Sequence, residues 1–110
     1  MLIKPLLAAL LIIHALIHLV GFVNAYNLAD ISKISKNISK PEGVFWLICA
    51  FLFLISSVAL QTNRLWLVPL IPALLISQSL ICLAWREAKF GTILNGVIVI
   101  LALLRLQLIF

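Results

Sequence analysis

Apolar residues run along this chain in four long blocks, and polar residues collect in the short stretches between them. The blocks cover about residues 5–25, 44–60, 65–85 and 93–110. Each is close to the 20 or so mostly apolar residues that a helix needs to cross about 30 Å of hydrocarbon. Backbone groups inside lipid must be satisfied within their own segment, so helices are expected. A barrel is not, since no ten-residue alternation of polar and apolar positions occurs. The expected fold is therefore an all-α membrane protein, an antiparallel bundle of four transmembrane helices in one domain.

The connections add detail. "QTNR" is short enough to force an antiparallel hairpin between the second and third blocks. In the first connection Ile-Ser-Lys occurs three times, with Ile31, Ile34 and Ile38 at the spacing of one helical face. Lys33, Lys36 and Lys40 point the other way. A short amphipathic interfacial helix over about 30–40 is expected, capped by Asp30 and stopped by Pro41, with these lysines at the membrane surface. Pro69 and Pro72 should bend the third span. Trp46, Trp66 and Trp85 lie near span ends, as in an aromatic belt. A cleaved signal peptide ending near "VNA" is disfavoured by the length of the first block and its two histidines.

Composition agrees. The chain is 65% hydrophobic and 10% charged, well short of the charged quarter usual in soluble domains. The net charge of +5 comes with only three acids, Asp30, Glu42 and Glu87. The bases flank apolar runs, where they meet lipid headgroups, and no basic stripe with interleaved aromatics points to nucleic acid. Loops one and three carry Lys33, Lys36, Lys40, Arg86 and Lys89, against Lys4, Arg64 and Arg105 on the other side. That excess puts loops one and three in the cytoplasm. Arg105 can snorkel to headgroups. Cys49 and Cys82 form no disulfide framework or CxxC motif and read as small buried hydrophobes.

The candidate chemistry sits in "IIHALIHLVGF". His14 and His18 are four residues apart and share a helical face, together with Gly21 and Ala25, which allow close helix approach. Counted inward from the face bearing loops one and three, His18 lies roughly 10 Å deep and His14 roughly 16 Å. Gln78 falls level with His18, and Ser56 and Ser57 with His14. Asn95 is expected near the surface, level with Asn24 and Tyr26. These groups form a ladder that is either interhelical hydrogen-bond glue or a half-pocket opening on the basic face.

A bis-histidine haem within one chain is excluded, because both histidines lie on one face of one helix. A single-histidine or dimer-shared haem stays open. Zinc lacks ligands, and HALIH lacks the acid of HExxH. A neutral imidazole could instead contact a quinone carbonyl, but no carboxylate in any span offers a proton relay. No catalytic residue set can be assembled, and no metal or cofactor is expected.

"HLVGF" at 18–22, "GVFWL" at 43–47 and "WREAKFGTILN" at 85–95 together resemble a group of uncharacterised bacterial four-span membrane proteins, loosely DoxX-like. Glu87 stands where an aspartate is usual in that block. The resemblance implies the fold, a bacterial inner membrane, and no reaction. As a site, the block offers Glu87, Lys89, a tight turn at Gly91, and Thr92 as a cap that aims the fourth helix's positive end at the ladder. An anionic headgroup or small carboxylate would suit it. The ligand-pocket candidates are thus His14, His18, Gln78, Asn95, Glu87, Lys89 and Thr92.

Three functions compete. The first is a non-catalytic membrane component that joins itself or another membrane protein. The second is a small redox or ligand-binding subunit, and the third a small transporter hinged at the prolines.

Overall fold

A computed structural model describes residues 2–25, 40–62, 65–83 and 89–109. These form four helices, α1 (Ile3–Ala25), α2 (Lys40–Gln61), α3 (Leu67–Leu83) and α4 (Phe90–Ile109). The fold is an all-α bundle, as the pattern of apolar blocks implies. Helices α1, α2 and α4 each contain a stretch long and apolar enough to cross a membrane, while α3 is equally apolar but has 17 residues. At 1.5 Å per residue α3 reaches about 26 Å.

The helices pack as a square. Helix α1 lies against α2 and α4, α3 lies against the same two, and the α1–α2 pairing is the most extensive. Leu7, Leu11, Phe53, Leu60, Leu70 and Ile98 fill the centre with essentially no exposure. Large apolar side chains such as Leu16, Phe51, Leu75 and Ile100 point outward. That inversion relative to a soluble protein is what a lipid solvent permits, since acyl chains are as apolar as leucine.

Two boundaries differ from expectation, and both matter for the site. Helix α2 begins at Lys40, with Pro41 and Glu42 in its first turn. Proline there lacks only an N–H that would have no helical partner, and the carboxylate suits the positive helix end, so Pro41 starts α2 rather than stopping a loop helix. Helix α4 begins at Phe90, three residues earlier than the apolar run alone indicates. The expected interfacial helix, with Lys33 and Lys36, lies outside the described residues, as do Glu87 and Trp85.

Trp46 and Trp66 are 5% and 4% exposed, so neither belongs to an aromatic belt. Trp46 packs against His18 of α1, and the Trp66 carbonyl accepts from Ser56 of α2. Pro69 sits in the first turn of α3, where it costs little. Pro72 sits inside the helix and removes the N–H that would bond the Val68 carbonyl. At the α2–α3 turn Leu65 adopts a left-handed backbone, φ 49°, a strained choice for a residue with a Cβ. The far end of α2 is closed by Lys4, whose Nζ donates to the Gln61 carbonyl at 3.1 Å. A cation on terminal carbonyls complements the helix dipole.

Candidate functional site: a buried polar ring

The two histidines lie at the centre of the square. His14 and His18 are 0% and 1% exposed. Their rings meet edge to face at 4.5 Å between centroids, and Phe53 of α2 touches both, at 4.8 and 5.3 Å. Trp46 lies 5.0 Å from the His18 ring. Gly21 makes room for it. A Cβ at Gly21 would stand 2.6 Å from Cγ and 2.8 Å from Cε3 of the indole. The small residue on the histidine face therefore does allow a close approach, made by one aromatic side chain.

Directions of the hydrogen bonds follow from what each atom can do. His18 Nδ1 lies 2.8 Å from the His14 backbone oxygen. A carbonyl only accepts, so Nδ1 carries the proton. Full burial with no charged partner favours the neutral ring. Nε2 of His18 is then an acceptor, and the Ser77 hydroxyl, 2.8 Å away, must donate to it. The serine oxygen in turn accepts from Asn95 Nδ2 at 3.2 Å. Asn95 Oδ1 accepts from His14 Nε2 at 2.7 Å. The circuit runs from the His14 side chain through Asn95, Ser77 and His18, and returns to the His14 backbone. It ties α1 to α4 and crosses the diagonal of the square to α3.

A branch leaves the ring. The second Asn95 amide hydrogen reaches Gln78 Oε1 at 3.1 Å, and Gln78 Nε2 donates to Thr92 Oγ1 at 3.0 Å. It also lies 3.6 Å from the sulfur of Cys82. The ring fixes His14 as the Nε2–H form, which leaves its Nδ1 an acceptor. That atom is buried and has no hydrogen-bond partner among the described residues. The Trp46 indole N–H is also buried without one among them.

The structure joins His14, His18, Asn95, Gln78 and Thr92, but not in the predicted pairs. The α3 partner of His18 is Ser77; Gln78, about 100° further round the helix, serves α4 instead. Asn95 bonds His14 rather than lying near the surface, and the early start of α4, which sinks it by about 4.5 Å, accounts for part of that difference. Ser56 and Ser57 lie apart from the ring. Their hydroxyls donate to the carbonyls of Trp66, at 2.8 Å, and Ala8, at 3.2 Å. Starting α2 four residues earlier moves both serines about 6 Å further from the basic face.

Thr92 is inside α4 rather than its cap. Lys89 precedes the helix, and its carbonyl takes the Thr92 N–H at 3.1 Å. Gly91 has no positive φ. What needs its missing side chain is packing, because a Cβ would lie 2.7 Å from Ile81 Cδ1 and 3.9 Å from His14 Cε1. Lys89 is exposed, its ammonium 5.5 Å from the Phe90 ring centre, and it does not join the ring. Cys49 is buried, its thiol 3.6 Å from the Ala73 carbonyl. Cys82 is exposed, against expectation, because it follows the Gln78 side of α3 toward the helix end.

Ser77 is the residue sequence reading missed. Its signal was the run "ISQSL", where a hydroxyl adjoins the glutamine. Choosing between them required the helix's rotation, which apolar surroundings on all sides do not reveal. Among the described residues no group of three or more His, Cys, Asp or Glu side chains could hold a metal ion.

Fold and site together define a small helical membrane bundle with a sealed polar centre. No family model matches the chain, and no match is found among curated proteins or solved structures.

Proposed function

We propose that the protein is a non-catalytic integral membrane component that works by assembling with itself or another membrane protein. The bilayer is a bacterial inner membrane, with loops one and three on the cytoplasmic side. The observation that carries this reading is the closed ring. Apart from His14 Nδ1 and the Asn95 branch to Gln78, the ring's side-chain donors and acceptors are spent on one another, and its members are buried, so their chemistry goes into holding three helices together. The DoxX-like resemblance of the 85–95 block is in keeping with it. Sizing in mild detergent tests the reading. A species larger than one chain is expected, and a strictly monomeric protein that co-purifies with no other chain refutes it.

One observation favours a second reading, a small redox or ligand-binding subunit. His14 Nδ1 is a buried acceptor with no donor among the described residues, and a hydroxyl-bearing ligand such as a quinol would supply one. The absorption spectrum and quinone and metal analysis of the purified protein decide it. A colourless preparation free of quinone and metal, and indifferent to His18→Ala, removes this alternative.

A further inference from the structure

The outer face of α4 differs from the other lipid-facing surfaces in one residue. Gly21 and Gly91 are each explained by a side chain of this chain that occupies the space a Cβ would need. At Gly96 no atom of the described residues lies within 4 Å of that position. The described helices make no use of this glycine, although glycine in a helix interior weakens the helix relative to alanine. A surface beyond these helices is left to use it.

Gly96 does not stand alone on that face. Ile93, Gly96, Val97, Ile100, Leu103, Leu104 and Gln107 recur at spacings of three and four and fall within an arc of about 120°. The buried positions of α4, Asn95, Ile98 and Ala102, lie on the opposite side. Helix α4 is also less covered than α1 or α2. Only 22% of its spanning window is buried, against 39% for α1 and 44% for α2. Apolar exposure by itself requires no partner in lipid. A bare glycine near the start of the stripe, on the same side of the helix as an exposed amide at its end, is a different matter.

We infer that this face of α4 pairs with the same face of a second copy, about a two-fold axis normal to the membrane. The inference rests on the associating component proposed above and names the surface it uses. Between copies inserted with the same topology, such an axis sets each residue opposite itself. Gly96 opposite Gly96 lets two backbones approach closely, the main source of helix affinity where no hydrophobic effect operates. Gln107 opposite Gln107 is self-complementary, because a carboxamide both donates and accepts. The exposures of Ile93 (63%), Ile100 (58%) and Leu103 (56%) dominate the stripe. The whole stripe offers roughly 500 Å² per copy, so a pair buries about 1,000 Å², the lower bound for a specific interface.

The experiment uses the full chain in lipid vesicles, with both native cysteines replaced. Single cysteines go to Ile93, Gly96 and Ile100, and control cysteines to the exposed positions Ile17, Ile55 and Ile71 on the other helices. Under mild oxidation the α4 positions are expected to give cross-linked dimer several-fold faster than the controls. Gly96→Leu should weaken dimerisation at least tenfold while leaving helix content and the thermal midpoint of the monomer intact, since a Cβ there meets nothing within 4 Å among the described residues. Controls that cross-link as fast as α4, or an unchanged dimer in Gly96→Leu, overturn the inference while leaving association by another face standing. A protein that is monomeric throughout overturns both.

Discussion

Replacing Ser77 with alanine deletes one oxygen and almost no volume, yet its consequences fall on two neighbours. His18 Nε2 loses the hydroxyl 2.8 Å away, and Asn95 Nδ2 loses its acceptor at 3.2 Å. Both residues are buried, at 1% and 6% exposure, so water cannot readily replace what is lost. A buried group left unpaired costs about 1–3 kcal/mol, whereas interhelical hydrogen bonds in membranes average about 0.6 kcal/mol because the unfolded chain also finds partners. The closed circuit decides between them. Breaking one link orphans two groups and slackens two more, so the expected loss is about 2 kcal/mol, a ~30-fold shift in the folding equilibrium. Ser57→Ala is the internal control. Its hydroxyl bonds the Ala8 carbonyl at 3.2 Å, which α1 already satisfies, so the expected loss is at most about 0.6 kcal/mol. Reversible unfolding in mixed micelles, or steric trapping in bicelles, measures both. Equal losses for the two serines would refute the circuit.

Nitrogen NMR of histidine-labelled protein should find the two rings as opposite neutral tautomers, His18 protonated on Nδ1 and His14 on Nε2; the same tautomer at both breaks the assigned directions. Gly21→Ala should destabilise by about 1–3 kcal/mol, because a methyl there overlaps the body of the Trp46 indole. Gly91→Ala should cost less, since it meets the movable tip of Ile81; a reversed order in thermal denaturation would contradict the packing. Leu65→Gly should leave stability unchanged or raise it by up to about 1 kcal/mol, relieving the left-handed φ of 49° at an exposed site. A maleimide should label Cys82 rapidly in the folded protein and Cys49 only after denaturation, and mass spectrometry of the labelled peptides checks the order.

The four described helices and their approximate ends were legible because in lipid the apolar run itself specifies a spanning helix. That criterion is local and needs no tertiary partner. The presence of polar groups at depth was equally plain, since HALIH, "SQS" and Asn95 stand out against leucine and isoleucine. Their pairing was not legible. A soluble helix announces its buried face by contrast with a polar one, but these helices are apolar all round, so rotation is hidden. That is why Ser77 and Gln78 exchanged roles, and why two tryptophans expected at the interface turned out to be core. Helix starts drew on signals weaker than hydrophobicity. Pro41 suits the beginning of a helix as well as the end of the segment before it, and the resulting four-residue offset carried Ser56 and Ser57 away from His14.

What the chain determines alone is therefore which segments form apolar spans and which polar groups they carry inward, because transfer of each residue into lipid depends on its own chemistry. Which side chain meets which was decided only by the bundle. A hydrogen bond needs atoms within about 3 Å of each other, and that precision comes from the angle at which Gly21 admits Trp46 and Gly91 admits Ile81. Once those contacts fix the rotation of α1 and α4, His14, Asn95, Ser77 and His18 close on one another.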